Sequence, residues 1–347
     1  MLKGNLERKL LIHALKVSTS VYSTILLRNC CVHYSINTMS NILISGGTGL
    51  TGRALTAELL KKGYTVTILS RQQQPADYSA GVRYSYWNPG EGIIDKQIVE
   101  DADYLIHLAG AGVADKRWTE KRKREIKDSR VIPTKLLADT VKLHGAKLKA
   151  VIVASAIGWY GPDPVIPNPK PFTEEDPAYA DFLGNTCLAW EQAADSFAMQ
   201  GKRLVKLRTG IVLSREGGAL KEFLKPLKWG IGAVMGSGRQ VVSWIHISDL
   251  VRLYIQALEN GKMEGVYNAV APLPVSNKQL MTALGKKKKG NFFMPIHIPS
   301  FLLKIVLGEM SVEILKSTTV SCNKLHGEGF IFQYPSLESA LGKLLEA

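Results

Sequence analysis

The stretch "ILISGGTGLTGRAL", Ile42 to Leu55, decides how the rest of the chain is read. "NILIS", Asn41 to Ser45, is a short β-rich apolar run, and the glycines follow it without a spacer. Gly46, Gly49 and Gly52 spell G-x-x-G-x-x-G, while Gly47, Gly49 and Gly52 spell G-x-G-x-x-G. From Arg53 to Lys62 the leucines Leu55, Leu59 and Leu60 fall on one face, which predicts a helix that Gly63 stops. "YTVTILS", Tyr64 to Ser70, then predicts a second strand. A glycine pattern alone is weak, but strand, turn, helix and strand in this order form a phosphate-binding context. Such a turn is too tight for side chains and lets backbone approach a pyrophosphate, while the helix N-terminus offers free N–H groups and a partial positive charge. The residues expected to hold a dinucleotide here are Gly46, Thr48, Gly49, Leu50, Thr51 and Gly52.

The nucleotide type is read one strand later. An NAD site usually ends its second strand in Asp or Glu, which accepts from the adenosine ribose hydroxyls. Here Ser70 and Arg71 stand at that end, and the next acid is Asp77. A guanidinium suits a 2′-phosphate and has no matching partner on an unphosphorylated ribose. NADP(H) is therefore expected over NAD(H).

Further apolar strands recur at "YLIHLAG" (Tyr104 to Gly110), "AVIVAS" (Ala150 to Ser155) and "RLVKLRTG" (Arg203 to Gly210), each after a helical stretch. This alternation predicts an α/β fold, a parallel sheet covered on both faces. After Gly210 the pattern becomes glycine-rich and irregular around a short helix. "WIHISDLVRLYIQALENG" then reads as a strand end, a Ser248 N-cap and an amphipathic helix stopped by Asn260-Gly261. The last seventy or so residues read as helical with breaks at prolines.

The 347 residues are 46% hydrophobic and 21% charged, ordinary for a globular protein with a sizeable core. The net charge of +14 raises the question of nucleic acid. Part of it lies in residues 1–38, where Lys3, Arg8, Lys9, Lys16 and Arg28 face Glu7 alone. The runs Lys121–Arg124 and Lys286–Lys289 carry no interleaved aromatics and read as solvated faces, so no nucleic-acid partner is expected. Cys30, Cys31, Cys187 and Cys322 form neither metal-ligand spacing nor a disulfide framework, so no metal is expected. The nearest approach to a membrane span, "FFMPIHIPSFLLKIVLG", is interrupted by Pro295 and Pro299, and no membrane partner is expected. Residues 1–38, basic and poor in acid, fit either a mitochondrial transit peptide or a start codon set too far upstream of Met39. The second reading makes the protein cytoplasmic.

Several separated motifs now carry a resemblance. The turn, "HLAG" (His107 to Gly110), "SAIGWYG" (Ser155 to Gly161), "PFTEEDP" (Pro171 to Pro177) and "WIHISDL" (Trp244 to Leu250) together resemble the extended short-chain dehydrogenase/reductase superfamily. "RWTEKRKREIKDSR", "GSGRQVVSWIHI" and "LHGEGFIFQYPSLESAL" narrow this to epimerase-family proteins with a helical C-terminal extension. The likeness covers residues 41–347. It implies a Rossmann-type doubly wound parallel sheet with a smaller C-terminal substrate domain. The NAD(P)-binding domain would span 41–210, with later strands returning to it from 240–272. Residues 211–347 would supply the substrate side, and Leu108, Ala109 and Gly110 would lie along the nucleotide.

The superfamily's proton transfer rests on a Tyr-x-x-x-Lys pair, whose ammonium lowers the tyrosine pKa. In "DFLGNTCLAWE", Asp181 to Glu191, alignment puts Leu183 in place of that Tyr and Cys187 in place of that Lys. Ser155 lies one residue before the usual supporting serine, and Arg130 stands where a supporting Asn is common. Tyr160, just past a strand's C-terminal end, and Ser155 are then the candidate catalytic residues, with a structural tyrosine in the turn as the alternative for Tyr160. Glu174 and Glu191 are further candidate acids. His246 and Asp249 could touch ligand or fix a pocket floor, with a first-turn helix acid favoured by the dipole as the alternative for Asp249; Arg208 and Arg239 could hold an anionic group, and Trp118 and Trp244 could wall a pocket. His107 reads as a strand-end residue without chemistry. Two functions remain open: an NADP(H)-dependent oxidoreductase or epimerase-like enzyme acting on a small carbonyl or hydroxyl compound, and a nucleotide-binding sensor that has lost turnover.

Overall fold

The computed structural model describes residues 40–72, 81–290 and 292–346. The expectations for residues 1–38, and Asp77, lie outside them.

Strand β1 (Asn41–Ser45) sits mid-sheet. On one side it pairs in parallel with β2 (Thr65–Ser70), followed by β3 (Val82–Asn88) and the short antiparallel β4 (Ile93–Ile94). On its other side lie β5 (Tyr104–His107), β6 (Ala150–Ala156), β7 (Arg203–Thr209) and β8 (Gly265–Ala269), all parallel. The order β8-β7-β6-β5-β1-β2-β3-β4 reverses direction between β1 and β5, so the strand ends there open a crevice.

Side chains alternate along a strand, and both faces here are covered, which is why the strands read as continuous apolar runs. Ile42 and Ile44 of β1 pack with Leu55 and Leu59 of helix α1 (Leu50–Lys61) in one core layer. Leu43 points the other way, into a layer with Leu137 and Val141 of the long helix α3 (Glu120–His144) and with Trp190 and Phe197 of α4 (Phe182–Met199), while α2 (Lys96–Glu100) contributes Val99. A third cluster joins Leu220 of α5 (Ala219–Leu227) and Trp244 to Leu280 and Leu284 of α7 (Asn277–Lys289). No helix among the described residues is long and apolar enough to cross a membrane.

Three expectations need correction. Helix α1 begins at Leu50 rather than Arg53, because the glycine turn itself winds into the first turn. Helix α6 (Ile247–Glu259) is capped by His246, whose Nδ1 accepts from the Ser248 N–H at 3.0 Å, so Ser248 lies inside the helix. The C-terminal region is not purely helical: Met294–Ile298, with Pro295 inside it, pairs in parallel with Ile231–Met235.

The chain's last part is bound to the first by buried carboxylates. Asp163 accepts from Ser317 Oγ (2.7 Å) and from Thr319 N (2.9 Å) and Oγ1 (2.8 Å). Asp249, fully buried, accepts from the backbone N–H groups of Gln333 and Tyr334, both at 2.8 Å.

His107 is fully buried and has no room for charge. Thr134 donates its hydroxyl to the Arg130 carbonyl (2.6 Å) and so accepts from His107 Nε2 (2.9 Å), leaving Nδ1 to accept from Ser45 at 2.5 Å. Burial pushes its pKa down to about 4 from 6.5. The unfolded chain therefore binds a proton that the folded one refuses, so this contribution is full above pH 6.5 and is lost as pH falls toward about 4. Thermal melts across that window should show stability dropping on acidification, and His107→Gln should flatten the slope.

Candidate functional site

The crevice between β1 and β5 is lined by backbone. Gly46 has φ +74°, and a Cβ there would lie 2.7 Å from both the Ala109 nitrogen and the Leu108 carbonyl carbon. A Cβ at Gly47 would meet the Ile68 side chain at 2.7 Å. Only glycine allows the turn to sit this close to the strand ends beside it. Gly49 caps α1 without a side chain, no acid occupies the first turn, and Thr48 and Gly49 are exposed. The helix thus presents its first N–H groups, with their partial positive charge, toward solvent. Leu50 and Thr51 border this rim partly exposed, and Gly52 packs beneath it.

At the end of β2, Ser70 is buried and its Oγ accepts from the Gln72 N–H at 3.0 Å. Arg71 follows, exposed and without an ion pair among the described residues. Leu108 and Ala109 are partly exposed and Gly110 is exposed, all directly beyond β5. Gly turn, Arg71 and the 108–110 segment therefore gather at one end of the sheet. Their shape and chemistry fit a dinucleotide: a glycine cradle, an uncapped helix start and a guanidinium where an acid is common.

Beside this rim, the residues expected to carry proton chemistry face inward. Tyr160 is fully buried, stacked on Phe172 with ring centres 5.3 Å apart. Its hydroxyl donates to Asn268 Oδ1 (2.6 Å) and accepts from Arg208 Nη1 (3.0 Å). Burial pushes its pKa up to about 12. This corrects the reading of Tyr160 as a donor at the cleft: the hydroxyl has no solvent-facing side. Ser155 is also buried and donates to Glu191 Oε1 at 2.6 Å. Glu191 in turn holds Arg208 with both carboxylate oxygens, at 2.9 Å from Nε and 3.1 Å from Nη2. Arg208 stacks over the Trp159 ring at 3.6 Å, and Nη1 also donates to the Glu174 carbonyl at 3.1 Å. Glu174 Oε1 accepts from the Asn268 N–H at 2.7 Å. Arg208, proposed from placement as a holder of an external anion, is thus already matched by an internal one.

Leu183 and Cys187 lie against Gly158, where a Cβ would come within 3.2 Å of the Leu183 Cβ and 3.7 Å of the Cys187 sulfur. The Cys187 thiol is buried, with its sulfur 3.7 Å from the Ala156 carbonyl. Burial first, and then the Glu191 charge, push its pKa up to about 12, so it stays a neutral thiol.

The remaining candidates divide. Trp244 is fully buried and donates to the Leu273 carbonyl (3.0 Å), so it belongs to a core rather than a pocket wall. His246 is buried beneath Tyr334, with ring centres 3.9 Å apart, and Asp249 anchors the C-terminal segment. Arg239 is exposed, its side chain reaching the Ile166 carbonyl at 3.4 Å. Trp118 is partly exposed and meets Phe182 edge-on at 4.9 Å, near the N-terminus of α4.

A sequence profile described as NAD dependent epimerase/dehydratase family matches residues 42–269 of this fold. The chain belongs to that family. It is an extended short-chain dehydrogenase/reductase by sequence and by the Rossmann-type sheet. Residues 298–344 match a second profile, described as Domain of unknown function (DUF1731). The Epimerase family protein YfhF of Bacillus subtilis is 36% identical over 306 residues, covering 88% of this chain and 98% of its own. The crystal structure of human epimerase family protein SDR39U1 (isoform2) with NADPH aligns at a TM-score of 0.75, with 30% identity, over 88% of this chain and 98% of that one. A nucleoside-diphosphate sugar epimerase from Corynebacterium glutamicum aligns at 0.70 with 32% identity, over 88% of this chain and 58% of that longer one.

Loss of the Cys187 side chain should differ sharply from loss of the internal ion pair. Removing one partner of a buried pair leaves an uncompensated charge and costs about 3–5 kcal/mol. Glu191→Ala should therefore lower stability by about that amount in denaturant titrations. Cys187→Ala, which removes a small neutral side chain, should cost about 1–2 kcal/mol at most.

Proposed function

We propose that the protein binds NADP(H) and transfers hydride between the nicotinamide and a small carbonyl or hydroxyl compound, without the usual tyrosine–lysine pair. The observation that carries this reading is the uncapped glycine turn at the sheet's reversal point together with Arg71 in the place of an acid. Gly46, Thr48, Gly49, Leu50, Thr51 and Gly52 would hold the diphosphate, Ser70 and Arg71 the 2′-phosphorylated ribose, and Leu108, Ala109 and Gly110 the remaining length of the nucleotide. That a human relative was crystallised with NADPH supports the same choice. The bound nucleotide supplies or accepts the hydride at nicotinamide C4. The protein's own part would be to align the substrate carbon and to satisfy the charge that develops on its oxygen, while the accompanying proton is exchanged with water. Leu183 has no proton to give, burial holds Cys187 as a neutral thiol, and Tyr160 and Ser155 are engaged in the core.

A second reading, a nucleotide-binding sensor without turnover, is favoured by those same four residues. Titration of the full chain with NADPH and NADH, followed by nicotinamide fluorescence, tests the shared part. Selective NADPH binding is expected, and failure to bind either nucleotide would remove both readings. Turnover across a panel of carbonyl compounds then separates them.

Arg71→Ala should weaken NADPH by about tenfold or more, about 1.4 kcal/mol, and leave NADH nearly unchanged. Equal loss for both would reverse the assignment of the nucleotide.

A further inference from the structure

Arg130 is a partly buried guanidinium without a counter-charge among the described residues. It lies on α3 one turn after Ile126, whose carbonyl accepts from Nη1 at 2.8 Å. Nε and Nη2 make no hydrogen bond to any described residue. Its neighbour Ser129 accepts from the Ala111 N–H at 2.9 Å, which ties α3 to the segment leaving β5. The guanidinium lies directly against Gly110, the exposed end of that segment: a Cβ there would sit 3.1 Å from its central carbon.

What surrounds this cation is neutral or positive. The Trp190 ring lies 5.2 Å from the guanidinium carbon. The Cys187 thiol and the His107 ring both interact with its charge, and both are held neutral. The next charge is Arg122, which has its own carboxylates, Glu125 at 2.8 Å and Asp115 at 3.6 Å. Among the described residues no carboxylate comes within 4 Å of Arg130, in contrast to Arg122, Arg208 and Arg252. Burial and Arg122 together push its pKa down, yet a guanidinium remains charged.

A charge partly withdrawn from water without a counter-ion is costly, and proteins keep such groups mainly where function needs them. Arg130 stands beside the C-terminal end of β5, where ligands enter open α/β sheets, with an unfilled planar fork suited to oxyanions. It also stands near Cys187, where relatives with the usual pair carry a lysine. The positive charge missing from α4 is thus present on α3.

We propose that Arg130 is an anion-binding residue of the cleft, its fork receiving the phosphate or carboxylate oxygens of a bound ligand. The inference rests on the cleft reading above but not on the nucleotide's identity. Two sources offer that chemistry: the nucleotide's diphosphate and an acidic group on the substrate.

The test compares full-length wild type with Arg130→Met and Arg130→Lys by calorimetric titration with NADPH, with ADP, and with oxalate in the presence and absence of NADPH. Arg130→Met should weaken at least one of these by tenfold or more, and Arg130→Lys should recover part of the loss. The melting temperature of ligand-free Arg130→Met should be unchanged or higher, because an unmatched charge has been removed. Loss with NADPH and ADP assigns the fork to the diphosphate; loss with oxalate alone assigns it to an acidic substrate. Unchanged affinity for all three overturns the proposal. So does a loss that accompanies a lower melting temperature, which would make Arg130 a structural residue. If wild type binds no NADPH, the nucleotide reading falls, and the oxalate titration on the free protein still decides Arg130.

Discussion

The bidentate pair between Glu191 and Arg208 joins more of the molecule than any other polar contact described here. Arg208 comes from β7 and Glu191 from α4; Ser155 of β6 donates to the carboxylate, and Tyr160, Trp159 and the Glu174 carbonyl engage the guanidinium. Through Tyr160 and Glu174 the network reaches Asn268 in β8, and Asn268 Nδ2 donates on to the Ser321 carbonyl at 3.1 Å. Burying two charges is tolerable only if geometry and further hydrogen bonds satisfy both, and each added partner does that. The result specifies how the sheet's outer strands, α4 and the C-terminal segment meet.

That network also explains why the serine and tyrosine nearest the expected chemistry do not face the crevice. Their hydroxyls complete the solvation of a buried ion pair. In relatives that keep Tyr-x-x-x-Lys, the helix corresponding to α4 carries the proton-transfer groups. Here the same helix turns Leu183 and a neutral Cys187 toward Gly158 and commits Glu191 to the interior. The glycine cradle depends on none of these side chains, because it is built from backbone at Gly46, Gly49 and Gly110. The cradle and the residues at the proton-transfer positions are therefore structurally separate in this fold.

The central strands and the glycine turn were legible because their signals are local: apolar runs of strand length, glycines at fixed spacing, a leucine face on α1. The helix start was misplaced by three residues because a glycine N-cap leaves no side-chain signature. Ser248 looked like a cap by residue type, but the imidazole of His246 fills that role. Met294–Ile298 is not legible as a strand, because a proline in a run usually argues against one while edge pairing tolerates it. Asp249 is legible as a first-turn acid of α6, but its hold on Gln333 and Tyr334, like the internal ion pair of Arg208, is not. Each depends on partners far along the chain, and residue type alone does not tell an internal counter-ion from an external ligand.

The position of β8 has a consequence for synthesis. Its register places Gly265 opposite Val205, so the second edge of β7 stays uncovered until residues 210–264 have been made and β8 follows them. A nascent chain released to Arg208 and Thr209 would expose an apolar strand edge, an opening for intermolecular pairing. The α5 and α6 segments emerge during that interval, and α6 packs Leu250 and Tyr254 into the core layer shared by β7. The excursion between the two strands thus supplies cover for the sheet's face before its edge is closed.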